Sequence, residues 1–238
     1  MRSFIIHMAG DTRRQENART LLGVLPGAEI VAAINGREVM ETQSPPLAPG
    51  SLHVPRYPFV LNPGEVGCFL SHRACWQRIV ELDLPHALIA EDDLALDPAI
   101  WPDVLDLLST HVHGDAYIRV PVKARETPVQ QVAERNDARL FLPRVIGLQT
   151  VCQVVGRGTA QRLLEASAVM DRPVDAFLQM HWATGQPVHT ILPNGTRELT
   201  AQLGGSTIQR KHGPLGKFSR EIKRAIYRGQ IWARPQRG

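Results

Sequence analysis

Cysteine, aromatic residues and long apolar runs are all scarce in this sequence, and each scarcity excludes something. Cys68, Cys75 and Cys152 are the three cysteines, an odd number and too few for a disulfide scaffold, which fits a reducing cytoplasm. No run approaches the ~18 apolar residues of a membrane-spanning helix. The apolar part of the N-terminus is too short for a secretory signal and reads as a first strand. There is no Cys-x-x-Cys pair, no Rossmann-type glycine fingerprint, no internal repeat and no low-complexity tract. Aromatic residues make up 5%, and no aromatic platform or recognition motif accompanies the basic charge, which argues against nucleic acid as a partner.

What remains is an ordinary globular composition, 43% apolar and 21% charged over 238 residues, enough for one substantial core. The net charge of +4 is unevenly spread. Residues 209–238 carry nine Lys/Arg against one acid, Glu221, a balance of +8 that leaves residues 1–208 at −4. The division is therefore a mildly acidic domain over 1–208 and a basic tail over 209–238. Within the tail, residues 218–232 place Phe218, Ile222, Ala225 and Ile226 on one side of a helix, with Arg220, Lys223, Arg224 and Arg228 around the rest. Such a helix suits either an anionic membrane surface or docking on the body of the protein.

Strands and helices alternate along the body. Apolar runs at 4–8, 28–34, 87–90, 116–120, 149–155 and 188–192 read as strands. Residues 13–22, 64–82, 97–108 and 159–168 have helical character, and Asp97-Pro98 reads as the N-cap and first position of the third of these. Residues 176–182 form an amphipathic segment. Six prolines between 44 and 63 forbid a regular element and predict an ordered surface excursion. Residues 121–139 are polar, lack a period, and read as a flexible or substrate-covering loop.

The stretch with the clearest chemistry is Ala87-Leu88-Ile89-Ala90-Glu91-Asp92-Asp93. A buried strand runs into three carboxylates, and strand ends of open α/β sheets are where ligands bind. In an extended backbone Glu91 and Asp93 share one side, about 7 Å apart, and Asp92 takes the other. Two carboxylates so placed suit a hard divalent cation. On the helix at 64–82, Cys68, His72 and Cys75 fall at i, i+4 and i+7. That set lacks a fourth zinc ligand, and buried thiols beside a hydrogen-bonded His are the simpler reading. Ser71 and His72 can equally face a substrate cleft.

Several blocks together resemble glycosyltransferase family 25. They are Gly64-Glu65-Val66-Gly67-Cys68, then Leu70-Ser71-His72 with Trp76 four residues beyond the His, then Ala90-Glu91-Asp92-Asp93. Flanking blocks are similar as well. Phe4 to Met8 with Arg13-Arg14 resembles the opening strand and arginine-bearing turn, with His7 where Asn is usual. Ala33-Ile34-Asn35-Gly36-Arg37 has Asn35 at a usual Asp, and Pro173-Val174-Asp175 resembles a Pro-x-Asp segment. Pro193, Gln202 and Ser206-Thr207-Ile208 resemble the closing segment.

The resemblance implies a GT-A-like α/β domain, a mixed central sheet flanked by helices. It also implies inverting transfer of a sugar, with galactose expected, from a UDP-sugar to a lipopolysaccharide or other glycan or lipid-linked glycan, aided by Mn²⁺ or Mg²⁺. On that reading Glu91 and Asp93 hold the metal. His7, Arg13, Arg14, Glu91, Asp92, Ser71, His72 and Gln202 contact the donor. An inverting reaction needs a general base for the acceptor hydroxyl; Asp175 is the first candidate and Glu65 the second. Localisation is expected to be cytoplasmic, peripheral on the inner membrane face if the tail binds lipid. Two other classes compete: a metal-dependent phosphate-ester hydrolase, which would want more His or Asp ligands, and a carbohydrate- or membrane-surface-binding protein that keeps the fold without turnover.

Overall fold

The computed structural model describes residues 1–203 and 214–237, the first five of the latter by backbone only. Ser206-Thr207-Ile208 therefore lies outside the described residues. In chain order the strands are β1 (Arg2–His7), β2 (Ala28–Ala32), β3 (His86–Glu91), β4 (Leu94–Leu96), β5 (Tyr117–Arg119), β6 (Pro128–Arg135), β7 (Ala138–Pro143), β8 (Cys152–Gly156), β9 (His189–Leu192) and β10 (Thr196–Glu198). The helices are α1 (Thr12–Val24), α2 (Gly36–Thr42), α3 (Pro63–Glu81), α4 (Trp101–His111), α5 (Arg157–Ala166), α6 (Val174–Leu178), α7 (His181–Thr184) and α8 (Pro214–Trp232).

Eight strands form one sheet in the order β2-β1-β3-β8-β5-β9-β7-β6, and β10 pairs with β4 beside it. The three strands β2, β1 and β3 run parallel. Strand β8 is antiparallel to β3, so the sheet is mixed. It is an α/β domain consistent with the GT-A-like expectation.

Side chains alternate across a strand, and the central strands use that period to fill two cores. Phe4, Ile6, Ala87, Ile89 and Val155 pack with Phe69, Trp76 and Ile79 of α3 and with Ala160 and Leu163 of α5. Ile5, Leu88, Ala90 and Val154 pack with Ala18 and Leu21 of α1 and with Val104 and Leu108 of α4. The sheet is thus covered on both faces, and its strand ends are the places left open to a ligand.

Three details differ from the sequence expectation. Residues 121–139 hold no long loop: β6 and β7 form a hairpin on the sheet edge, with Asn136 at φ +49° in the turn. Strand β6 is exposed along nearly all its length, so both faces carry polar residues and the period of two is lost. Helix α4 begins at Trp101 rather than 97, because Asp97 instead accepts the backbone N–H of Ala99. The segment 176–182 is split between α6 and α7. The proline-rich excursion is as expected: residues 43–62 contain no helix or strand beyond one bridge from Leu47 to Met170.

Candidate active site

The carboxyl ends of β1, β2 and β3 open into a cleft of about 690 Å³. One wall is the start of α3, held close to the start of α2 by two glycines. A Cβ at Gly36 would stand 1.8 Å from the Pro63 carbonyl oxygen, and one at Gly67 2.5 Å from that of Ile34. Only glycine permits such backbone contact. Ser71 reinforces it: its Oγ accepts the Ile34 N–H at 2.8 Å and donates to the Gly67 carbonyl at 2.7 Å. Asn35, at the position of the family Asp, caps α2 through the N–H groups of Arg37 and Glu38.

The floor of this cleft is Glu91, Asp92 and Asp93. Strict alternation is broken here, because β3 ends at Glu91 and the two aspartates occupy a turn before β4. Asp92 is buried and fully engaged: His7 Nδ1 lies 2.7 Å from one carboxylate oxygen and Arg14 donates to the other at 2.8 Å. Arg14 also reaches Asp93 at 3.2 Å. Burial works against the Arg14 charge, but the Asp92 hydrogen bond and the two aspartates raise its pKa above the ordinary value. Asn17 pins the turn by donating to the carbonyls of Asp92 and Leu94.

Asp93 is the least comfortable member. Burial first, and then the neighbouring Glu91 charge, push its carboxyl up to about 6. Its Oδ1 is buried without a hydrogen-bond partner. A single Thr200 hydroxyl stands 2.5 Å from Asp93 Oδ2 and 2.6 Å from Glu198, so one proton serves two carboxylates. An orphaned buried carboxylate oxygen beside a second acid is the donor set a hard divalent cation would satisfy. The residues present fit a metal here.

Glu91 differs. Burial works against its charge, but the His72 and Thr150 hydrogen bonds and the Arg14 charge outweigh it and hold its carboxyl below the ordinary value. Thr150 donates to Glu91 Oε1 at 3.0 Å, and His72 Nε2 is 3.4 Å away. Behind His72 the buried Gln153 amide donates to Nδ1 at 2.9 Å and accepts from the Tyr117 hydroxyl at 3.0 Å. With the amide so oriented, the imidazole proton sits on Nε2 and faces Glu91. Cys68, His72 and Glu91 bring ligand atoms within 4.8 Å of one another. Burial raises the Cys68 thiol well above its ordinary pKa, so it stands protonated at neutral pH. Cys75 is absent from this cluster, fully buried in the core of α3.

A second cleft, of about 550 Å³, lies against the first, and the two share Cys68, Glu91 and Glu198. Its walls come from the proline-rich excursion (Tyr57, Phe59), the loop around Leu148 to Val151, the start of α6, and α8. Glu65 and Asp175 both line it. Burial raises the pKa of each. Glu65 also closes a capping box with Asn62 at the start of α3. Asp175 accepts the Ala176 N–H at 2.7 Å and the Gln149 N–H at 3.4 Å.

Of the expected donor contacts, Arg14, Ser71, His72, Glu91 and Asp92 line the first cleft with Asp93. Three are placed elsewhere. His7 sits behind Asp92 as its partner rather than among the lining residues. Arg13 turns outward, because Asp11 caps α1 and holds the guanidinium at 3.3 Å. Gln202 is exposed and lines neither cleft.

Residues that sequence reasoning did not single out include Asn17, Thr150, Gln153, Glu198 and Thr200. Arg119 is another. It is buried, paired with Glu126, and donates to the carbonyls of Leu148 and Gln149, which fixes the loop between the clefts. A lone Arg inside the apolar run at 116–120 is the one signal that pointed to it.

Comparison with known proteins identifies the family. The pattern of the family described as "Glycosyltransferase family 25 (LPS biosynthesis protein)" matches residues 1–178. Human procollagen galactosyltransferase 2 is 29% identical over 180 residues, 70% of this chain and 28% of that protein. Bovine "probable inactive glycosyltransferase 25 family member 3" is 34% identical over 187 residues, 74% of this chain and 30% of that protein. Zebrafish (Danio rerio) procollagen galactosyltransferase 1 is 30% identical over 180 residues, 70% and 28% of the two chains. The chain thus aligns with under a third of the length of these relatives. The matched span contains the whole acidic floor and the α3 wall, and the chain belongs to glycosyltransferase family 25.

Proposed function

We propose that the protein transfers a sugar, galactose first among the candidates, from a UDP-sugar to a glycan acceptor with inversion at the anomeric carbon. The observation that carries this reading is the meeting of two clefts at Glu91, one floored by paired carboxylates and Arg14, the other by Asp175. The first cleft takes the nucleotide and the second the acceptor, so the sugar lies between them. Asp93 and Glu91 would hold a divalent cation, Mn²⁺ or Mg²⁺, which when bound would neutralise the charge growing on the leaving diphosphate. Arg14 orients the acidic turn. Asp175, which lines the second cleft with Glu91, is the candidate to take the proton of the attacking hydroxyl, and its raised pKa supports a general-base role.

A lipopolysaccharide-type acceptor is the reading that the family description supports. Helix α8 adds an observation about where that acceptor could be met. Tyr227 and Ile231 face inward and are buried, whereas Ile222 and Ile226, 47% and 58% exposed, face outward with Lys223 beside them. An exposed apolar pair beside a lysine suits an anionic membrane surface. Among the described residues no helix is long and apolar enough to cross a membrane.

The test is thermal denaturation with UDP-galactose and other sugar nucleotides, with and without Mn²⁺, followed by UDP release on adding truncated lipopolysaccharide. A metal-dependent rise in melting temperature together with acceptor-dependent UDP release is the expected result. Absence of any nucleotide-induced shift would refute the reading. Binding without turnover would instead mark a carbohydrate-binding protein of the same fold.

A further inference from the structure

The second cleft has an uneven charge layout that the transferase reading does not use. Its inner end is acidic, with Glu65, Glu91, Asp175 and Glu198. Its outer wall is α8, which contributes Arg224, Tyr227, Arg228, Ile231 and Trp232. That wall is anchored near its middle and just beyond its end. Buried Tyr227 stacks edge-on against Tyr57 at 5.4 Å and accepts a hydrogen bond from Arg172. Just beyond the helix, the Gln236 side chain exchanges hydrogen bonds with both backbone groups of Val188 and donates to the Pro143 carbonyl.

The cations on this wall are therefore held at the cleft by packing rather than carried on a loose tail. Arg220 and Arg224 lie over the Phe59 ring at 4.7 and 5.7 Å. Arg224 pairs with Glu221, the one acid of the helix. Arg228 is exposed and makes no ion pair or side-chain hydrogen bond among the described residues. The layout asks for a ligand that is neutral where it meets the carboxylates and anionic where it meets the guanidinium groups.

We propose that Arg228, with Arg224, selects an acceptor glycan bearing a phosphate or carboxylate, whose reacting hydroxyl points toward Asp175. The idea rests on the second cleft being the acceptor site. An Arg–oxyanion contact is a charge-assisted hydrogen bond that can be bidentate. Trp232, 61% exposed on the same cleft, offers aromatic surface for the sugar ring between the two ends.

The experiment measures binding of three glycosides to the full chain, with UDP absent and present. They are octyl β-galactoside, its 6-phosphate, and the corresponding octyl galacturonide. Each is titrated into wild type, into Arg228→Glu at an exposed position, and into the double variant Arg224→Glu with Arg228→Glu. The expected result is about tenfold tighter binding of a charged glycoside over the neutral one, lost in the double variant. The phosphate and uronate arms tell which anion is preferred. Equal affinity for all three, a preference that survives the double variant, or no binding of any glycoside overturns the inference. UDP-induced thermal stabilisation, measured on the same samples, reports on the donor cleft. If UDP binds while the glycosides are not discriminated, only this inference falls; if UDP fails to bind, the transferase reading falls independently.

Discussion

The two clefts are built in contrasting ways. The cleft proposed for the nucleotide is made mostly of short-range pieces: strand ends, the turn after β3, and the first turns of α1, α2 and α3. Its carboxylates are engaged internally, Asp92 by Arg14 and His7, Glu91 by hydrogen bonds from Thr150 and His72. The cleft proposed for the acceptor is assembled from segments far apart in sequence, with Tyr57 of the proline-rich excursion touching Tyr227 of α8. Glu65 and Asp175 there are half-buried and form no ion pair among the described residues, and desolvation raises the pKa of each. Internal engagement in the first cleft leaves Oδ1 of Asp93, buried without a hydrogen-bond partner, as the atom prepared for a cation. Lack of neutralisation leaves the other side with groups able to accept a proton. Charge economy thus divides the labour between the clefts.

The contrast can be broken most severely at Asp93. Asp93→Asn is expected to abolish the Mn²⁺-dependent part of the UDP thermal shift and to lower transfer by about a thousandfold, since the metal supplies several kcal/mol of charge stabilisation. An unaltered shift would remove Asp93 from the metal site. Next in size is Arg14→Ala, which leaves Asp92 and Asp93 buried beside each other without their cation. A loss of about 3 kcal/mol in urea denaturation is expected, together with weakened UDP binding; a stable variant would mean the acidic turn is held by Asn17 and His7 alone.

Thr150→Val sharpens the comparison at the boundary between the clefts. It deletes one hydrogen bond to the charged Glu91 carboxylate, worth about 2 kcal/mol, so transfer should fall about thirtyfold with folding nearly intact. A further effect concerns pH. Because the Asp93 carboxyl is raised from 3.8 to about 6 in the folded chain, the native state binds this proton more tightly than the unfolded state. Its contribution to stability is therefore present at low pH and is lost as pH rises from about 4 through 6. Metal-free Asp93→Asn should accordingly melt higher than wild type at pH 7.5, with the gap closing toward pH 4.

Legibility in the sequence followed the same division. The Glu91-Asp92-Asp93 strand end, the α3 wall and Arg14 are local or sequence-adjacent features, and their apolar periods and glycine spacings announce them. The two-sided core was equally legible, because β1 and β3 are apolar on both faces. The β6–β7 hairpin was not, since an exposed edge strand carries no hydrophobic alternation. Arg13 and Arg14 are indistinguishable in sequence; which one enters the cleft depends on Asp11 capping α1. The acceptor wall was the least legible. The apolar side of α8 in sequence is Ile222, Ala225 and Ile226, yet the docked residues are Tyr227 and Ile231. The cleft they close depends on contacts across more than half the chain.

The central claim is that donor and acceptor functions are physically separate and meet at Glu91. Asp175→Asn tests it most directly, with UDP binding and sugar transfer measured on the same preparation. The account predicts UDP affinity within about twofold of wild type and transfer reduced by about a thousandfold, the loss of a general base. Transfer at the wild-type rate, or loss of UDP binding in step with loss of transfer, would contradict it.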